Sequence, residues 1–347
     1  MGNTANKRIQ TVLLTGAGGT IGREIIKILL GRQGEYLVRA FDLPTPKNRE
    51  YFGRYEGQIE VFYGDITKPQ DLEEATKGVD HVIHLASVIP PLADEKPLLV
   101  DSVNVGGTRK LLKAVEENSP SSFFLFASSV AVYGDRFLDP FIKVGDPLNP
   151  SEGDHYGQGK VLMEESIQKS KLQWTAFRLP AIMGPQNHVM SGIMFRMPLQ
   201  QLMEIATPRD TARAFVNALS SHREELTGRV FNLGGGAEAT TTYGDFLANN
   251  FRIYGLGEFD FPLHAFATKN FHCGFYEDGD VLEGILHFRR DTLESYYRQL
   301  ENSISWVQKK ATQLMAPLVK SYLLHLSEPY KAWKSRDAEA IDFFFRE

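Results

Sequence analysis

The feature that most constrains this chain is an alternation. Short apolar runs recur at TVLLTG (11–16), YLVRAFD (36–42), IEVFYGD (59–65), HVIHLAS (81–87), FFLFASS (123–129) and WTAFRLP (174–180). Between most of them lie segments with helical periodicity, among them GREIIKILLG, DLEEATKG, GTRKLLKAVEE and KVLMEESIQKS. Strands covered on both faces read as continuous apolar runs, so the pattern predicts an α/β fold with a doubly wound parallel sheet of the Rossmann type. A further strand is expected at RVFNLGGG (229–236), after a helix that starts at TPRD with Thr207 as N-cap and Pro208 in its first turn. Beyond residue 245 the chain reads as mostly helical, with Pro317 and Pro329 as expected breaks.

Composition narrows the function. The chain has 347 residues, 42% hydrophobic and 23% charged, with net charge −5, which argues against a nucleic-acid-binding surface. Its single cysteine, Cys273, cannot form an intramolecular disulfide and fits a reducing compartment. MGNTANKRIQ leads directly into a strand-like run without a long apolar leader, and no run reaches the length of a membrane span, so a cytoplasmic location is expected. His81 and His84 alternate along a strand and do not resemble a metal site; no metal is expected. The segment 306–326 is amphipathic and carries Lys309, Lys310 and Lys320; a packed or oligomer-forming helix is favoured over a membrane-surface one.

TGAGGTIG (15–22) ends the first strand and opens the first helix. Gly16 permits the tight turn, Gly19 the approach of a pyrophosphate, and Gly22 close helix–strand packing. Thr20 and Ile21 begin the helix whose free N–H groups would meet the phosphates. Asp42 ends the second strand, where a carboxylate can accept hydrogen bonds from ribose hydroxyls and repels a 2′-phosphate. NAD is therefore favoured over NADP.

With GDIT (64–67), HLAS (84–87), NVGGT (104–108), SSVAVYG (128–134), YGQGK (156–160), FRLPAIMGP (177–185), RDTARAF (209–215) and GRVFNLGGG (228–236) in the same order, the chain resembles the extended short-chain dehydrogenase/reductase family, the NAD-dependent epimerase/dehydratase group, over residues 10–236. The resemblance implies that Asp65 and Ile66 flank the adenine, and that Leu85, Ala86 and Ser87 line the cofactor channel. It further implies that Asn104 sits near the cofactor and helps hold the catalytic lysine, and that Pro180 and Ile182 contact the nicotinamide end. The expected organisation is an NAD-binding domain over 8–185, with 207–236 returning to it. A smaller substrate-binding subdomain would comprise 186–206 and 237–290, and a helical extension 291–347. A homodimer through the helices containing 105–117 and 155–170 is expected on the resemblance alone.

Hydride transfer from a carbinol needs a base for the hydroxyl proton, and a free tyrosine, with pKa near 10, is a poor one. Tyr156 and Lys160 have the i, i+4 spacing that brings an ammonium beside a phenol and favours its phenolate. Gly157 and Gly159 between them weaken a helix interior by roughly 1 kcal/mol each, and would leave room for a cofactor, a substrate or a partner helix. The resemblance makes Ser129, rather than Ser128, the hydroxyl that binds the substrate oxygen.

Members that dehydrate nucleotide sugars carry an Asp–Glu pair after that hydroxyl; Val130 and Ala131 stand here, so dehydration is disfavoured. The Asn usual in the RxxNxYGP stretch is Ala181, and the Arg that grips a substrate diphosphate corresponds to Met203. The methionine-rich 186–206 segment suggests an apolar pocket for a smaller or more hydrophobic carbonyl or alcohol. The favoured expectation is an NAD-dependent oxidoreductase acting on a secondary alcohol or ketone. The alternative is a sugar or nucleotide-sugar 4-epimerase with tightly held NAD, and a non-enzymatic redox sensor ranks third.

Overall fold

A computed structural model describes residues 8–185, 190–220 and 222–346. Seven strands form the central sheet: β1 (Gln10–Thr15), β2 (Tyr36–Asp42), β3 (Glu60–Tyr63), β4 (His81–His84), β5 (Phe123–Ser129), β6 (Gln173–Leu179) and β7 (Arg229–Asn232). Their order is β7-β6-β5-β4-β1-β2-β3 and every pairing is parallel. The expected Rossmann-type sheet is thus present, and its order reverses at the β1/β4 boundary, where open α/β sheets form a crevice beyond the strand ends.

The principal helices are α1 (Thr20–Leu30), α2 (Gly107–Asn118), α3 (His155–Gln168), α4 (Pro208–Asn217), α5 (Tyr243–Tyr254), α6 (Leu293–Ser303), α7 (Trp306–Leu326), α8 (Glu328–Ser335) and α9 (Ala338–Phe344). One face of the sheet buries Val12, Leu14, Ile83 and Leu125 with Ile25, Ile26 and Leu29 of α1 and Phe215 of α4. The other buries Leu13, Val82, Phe124 and Phe126 with Leu111 and Val115 of α2 and Met163 and Ile167 of α3. The period-2 split of β1 residues between the two faces is what a doubly covered strand requires.

A second core gathers Phe195, Met203, Phe246, Phe251, Phe266, Tyr296, Leu300 and Leu323 from the C-terminal part of the chain. A three-stranded sheet, 240–242 against 202–206 against 181–182, carries one side of it. Thr207 caps α4 as its sequence predicts, its Oγ1 accepting from the Asp210 N–H at 3.2 Å. Pro317 departs from expectation: α7 runs through it without a break. An interior proline costs roughly 3 kcal/mol, and two features oppose that here. A capping box of Ser305 and Gln308 fixes the helix start, and Ala316, Val319 and Leu323 anchor the helix on the second core.

Candidate active site

The glycine turn has the shape a dinucleotide needs. Gly16 has φ +68°, and a Cβ there would lie 2.8 Å from the Ala86 nitrogen; a Cβ on Gly22 would lie 2.6 Å from the Gly16 carbonyl oxygen. Gly19 differs, since a Cβ on it would meet only the Gly16 oxygen, at 3.2 Å. So Gly16 and Gly22 let β1, β4 and α1 close together, while Gly19 keeps the helix mouth open. No side chain caps the first turn of α1, whereas Asp154, Thr207, Thr242, Thr292 and Ser305 cap the helices that follow them. An open helix N-terminus with a glycine approach fits a pyrophosphate. Asp42 adjoins it: Oδ2 accepts from the Gly18 N–H at 2.7 Å and Oδ1 from the Leu43 N–H at 2.8 Å. A carboxylate has lone pairs to spare beyond these two bonds, so ribose hydroxyls remain acceptable partners.

Around the crevice, Asp65 accepts from the Thr67 N–H and hydroxyl at 2.9 and 2.7 Å, and these bonds hold its carboxyl below the usual range. Ile66 is buried where a Cβ on Gly107 would touch it. Leu85 and Ala86 follow β4, their N–H groups donating to the Thr15 carbonyl (3.2 Å) and hydroxyl (3.4 Å). The Ser87 hydroxyl reaches the Val88 carbonyl at 3.5 Å. Pro180 and Ile182 lie at and just past the end of β6. Thr20 and Ile21 form the first turn of α1.

Asn104 braces the loop after β4. It is fully buried in a π-helical turn, Val100–Gly106, and its amide clamps one peptide: Oδ1 accepts from the Val88 N–H at 2.7 Å and Nδ2 donates to the Val88 carbonyl at 2.9 Å. Its side chain makes no direct hydrogen bond to Lys160. Lys160 Nζ donates instead to the Ala127 carbonyl at 2.7 Å. Asn104 acts on the loop after β4, which borders the crevice.

Helix α3 starts at Asp154, whose Oδ1 accepts from the Gly157 N–H at 2.8 Å, and this orients the turn bearing Tyr156. The two glycines make room within the chain itself. A Cβ on Gly157 would lie 2.8 Å from the Ala131 carbonyl oxygen, and one on Gly159 would lie 2.9 Å from Val100. These contacts press α3 against the end of β5 and the π-helical turn.

Ser129, Tyr156 and Lys160 converge. Lys160 Nζ sits 5.5 Å from the centre of the Tyr156 ring and 4.9 Å from that of Phe126. The Ser129 hydroxyl lies near enough to the Tyr156 phenol to lower its pKa, while its oxygen accepts from the Ala131 N–H at 3.2 Å. Ser128 faces elsewhere, donating to Glu164 at 2.5 Å. The electrostatics differ from the expected lowering of the phenol: burial pushes Tyr156 up to about 12, Ser129 opposes this, and Asp154 adds to it. Burial pushes Lys160 down to about 7, against the pull of Glu164. Desolvation thus favours the neutral form of both groups.

The sequence reading missed what stands behind this pair. Glu164, one turn beyond Lys160, accepts a bidentate bond from Arg178 of β6 at 3.0 and 2.8 Å, both residues being buried. Arg178 also donates to the Tyr133 hydroxyl (2.7 Å) and the Val144 carbonyl (3.0 Å), and Tyr133 donates to Asn232 of β7 (2.8 Å). The signal was available, since Glu164 lies at i+4 from Lys160 on the same helix face.

The methionine-lined pocket is also corrected. Met194, Met197 and Met203 are buried in the second core, where flexible thioethers fill gaps between aromatic rings. A small opening beside Asp154, about 60 Å³, is lined by charged and aromatic groups including Asp94, Arg196, Lys269, His272 and Phe343. His272 pairs with Asp154 at 3.1 Å. His84 is structural: its ring nitrogens bond the Thr15 and Thr108 hydroxyls at 2.7 and 2.9 Å, and burial pushes it down to about 3.

The family model described as the NAD dependent epimerase/dehydratase family matches residues 12–234. The chain belongs to that family. Among curated proteins it is 34% identical over 182 residues to the uncharacterized protein y4nG of Sinorhizobium fredii, a match covering 51% of this chain and 42% of that one. The chain therefore spans less than half the length of that relative. It is 28% identical over 254 residues to D-erythronate dehydrogenase of Cupriavidus necator, covering 65% of this chain and 76% of the relative. Its fold is shared with the UDP-glucuronic acid 4-epimerase of Bacillus cereus solved with UDP-glucuronic acid and NAD (TM-score 0.68, 20% identity, 85% of this chain and 100% of that one).

Proposed function

We propose that this protein is an NAD-dependent dehydrogenase/reductase that moves hydride between NAD and a secondary alcohol or its ketone. The observation that carries the reading is the convergence of Ser129, Tyr156 and Lys160 at the carboxyl end of β5, on the sheet that bears the glycine turn.

NAD, when bound, accepts or supplies the hydride and places a positive nicotinamide near the phenol. The chain's own groups do the rest. The uncapped first turn of α1, with Gly16, Gly19, Thr20, Ile21 and Gly22, holds the pyrophosphate, and Asp42 the adenosine ribose. Asp65, Ile66, Leu85, Ala86, Ser87, Asn104, Pro180 and Ile182 form the remaining walls. Tyr156 moves the proton at the substrate oxygen, Ser129 steadies the charge that develops there, and Lys160 biases the phenol. Because burial holds the phenol near 12, added positive charge is what shifts it toward a base; in the reductive direction the neutral phenol donates directly.

Several features favour net redox chemistry on a small polar substrate. Val130 and Ala131 lack the acid–base pair for eliminating water, and Met203 is core, leaving no Arg fork for a diphosphate at that position. The D-erythronate dehydrogenase relative points the same way. The second reading, a sugar 4-epimerase with tightly held NAD and the same three residues, is covered by the family's own description. The proposal includes a cytoplasmic homodimer through α2 and α3. It also includes the division into a cofactor domain (8–185 with 207–236), a substrate subdomain (186–206 and 237–290) and a helical extension (291–347).

Tyr156→Phe tests the assignment. Turnover should fall by about three orders of magnitude with NAD affinity measured by calorimetry nearly unchanged; retained turnover would overturn it.

A further inference from the structure

Helix α7 is apolar on two sides, and the fold covers one. Ala316, Val319, Leu323, Leu324 and Leu326 pack on the second core. On the opposite side Val307, Leu314 and Leu318 follow one another at i, i+7 and i+11, flanked by Met315 and Tyr322, with Trp306 at the helix start. These six large side chains are between 49% and 85% exposed. The single amphipathic face read from the sequence is therefore two faces, and a strip about 25 Å long stands bare. Scattered exposed apolar residues need no explanation, but a contiguous strip of this kind marks an interaction surface.

Charge and size point to the occupant. Residues 302–327 contain no Asp or Glu, in a chain that has 43 acidic residues and a net charge of −5. Lys309 and Lys320 pair with Glu301 and Asp260 on the inner flanks. Lys310, beside the outer strip, is exposed and forms no ion pair among the described residues, and the flanking acids Glu301 and Glu328 pair with Lys309 and Arg196. Trp306 and Tyr322 stand at opposite ends of the strip, and such rings favour a boundary between hydrocarbon and water. A second copy is a poorer fit. A stable protein–protein interface takes about 20–30 residues a side, and one 21-residue helix offering six apolar side chains falls well short. Two copies of an acid-free surface also bring like charges together.

We propose that the outer face of α7 seats this protein on the surface of a bilayer containing anionic lipids. The helix lies in the interfacial plane with Val307, Leu314, Met315 and Leu318 toward the acyl chains, and lysines toward the headgroups. No helix among the described residues is long and apolar enough to cross a membrane, so the contact is peripheral.

The test is co-sedimentation of the full chain with phosphatidylcholine vesicles, with and without phosphatidylserine, beside sedimentation velocity without lipid. Wild-type protein should pellet with the mixed vesicles, bind phosphatidylcholine alone at least about tenfold more weakly, and lose binding as salt rises. Leu314→Glu/Leu318→Glu should abolish pelleting while circular dichroism and melting temperature stay at wild-type values. Leu314→Ser/Leu318→Ser serves the same purpose should the charged pair disturb folding. Three results would each overturn the proposal: wild type remaining in the supernatant, equal binding to neutral vesicles, or a variant that leaves pelleting intact and instead halves the mass of a dimer.

Discussion

The glycine-lined crevice of the sheet half and the aromatic cluster of the C-terminal half are held by different kinds of contact. In the first, backbone meets backbone: Gly16 against Ala86, Gly22 against Gly16, Gly157 against Ala131, each at a separation where a Cβ does not fit. In the second, rings meet rings. Phe195 lies 5.3 and 4.8 Å from Phe261 and Phe266, Phe251 lies 5.2 Å from Phe259, and Phe246 stacks on Tyr296 at 5.5 Å. A backbone approach can be met by one residue type only, whereas ring packing accepts many combinations of similar volume. Chemistry that must hold a cofactor within fractions of an ångström belongs on the first kind of scaffold. The second is free of that constraint.

That difference governs what each half would tolerate. Gly22→Val should have the largest effect, because the added carbons meet the Gly16 and Ala17 backbone; NAD binding by calorimetry should be lost and the melting temperature should drop. Phe259→Leu in the ring cluster keeps most of the volume and should cost about 1 kcal/mol by urea denaturation, with NAD affinity unchanged. Equal damage from both would erase the contrast.

Next comes the link between catalytic helix and sheet. Glu164→Ala leaves Arg178 as an unpaired buried cation, and urea titration should show a loss of about 3–5 kcal/mol. A loss below about 1 kcal/mol would mean that the pair does not join α3 to β6.

The two halves also differ in a pair of opposite pH slopes. Glu204, buried in the second half, accepts from the Gly236 and Tyr276 N–H groups at 2.6 and 2.8 Å, yet burial pushes it up to about 7 from 4.5. Raised in the folded state, its stabilising contribution is complete below pH 4.5 and is lost as pH rises through about 7. Lys160 is lowered to about 7 from 10.5. Its burial therefore costs most below pH 7, and stability recovers as pH rises toward 10.5, because there the unfolded chain binds the extra proton. Glu204→Gln should flatten the acid limb of a stability–pH profile and Lys160→Met the alkaline limb. Unchanged slopes would contradict the burial of these groups.

The same contrast explains what could be read in the sequence. The seven strands and their parallel arrangement follow from apolar runs bounded by glycine and helical spacers, and β2 and β5 fall on the expected residues. Tyr156 and Lys160 stand four residues apart on α3, so spacing alone puts them on one helix face, whereas Ser129 rested on the family resemblance. The Asn104 amide could serve several neighbours, and its direct partner, Val88, was not legible in the sequence. The methionines of 186–206 were misread because a core and a pocket have the same composition, and only burial separates them. The hydrogen bonds of Arg178 to Glu164, Tyr133 and Val144 join residues 14 to 45 positions apart, a range that local patterning does not reach.

The central claim is that this site carries out net hydride transfer. The direct measurement is the amount of NADH formed per molecule of substrate consumed, on a panel of secondary alcohols that includes small sugar acids and nucleotide sugars, run beside an assay for copurified cofactor. The account predicts one NADH per ketone formed and cofactor that exchanges freely. An epimeric product without NADH, from protein that retains NAD through purification, would contradict it.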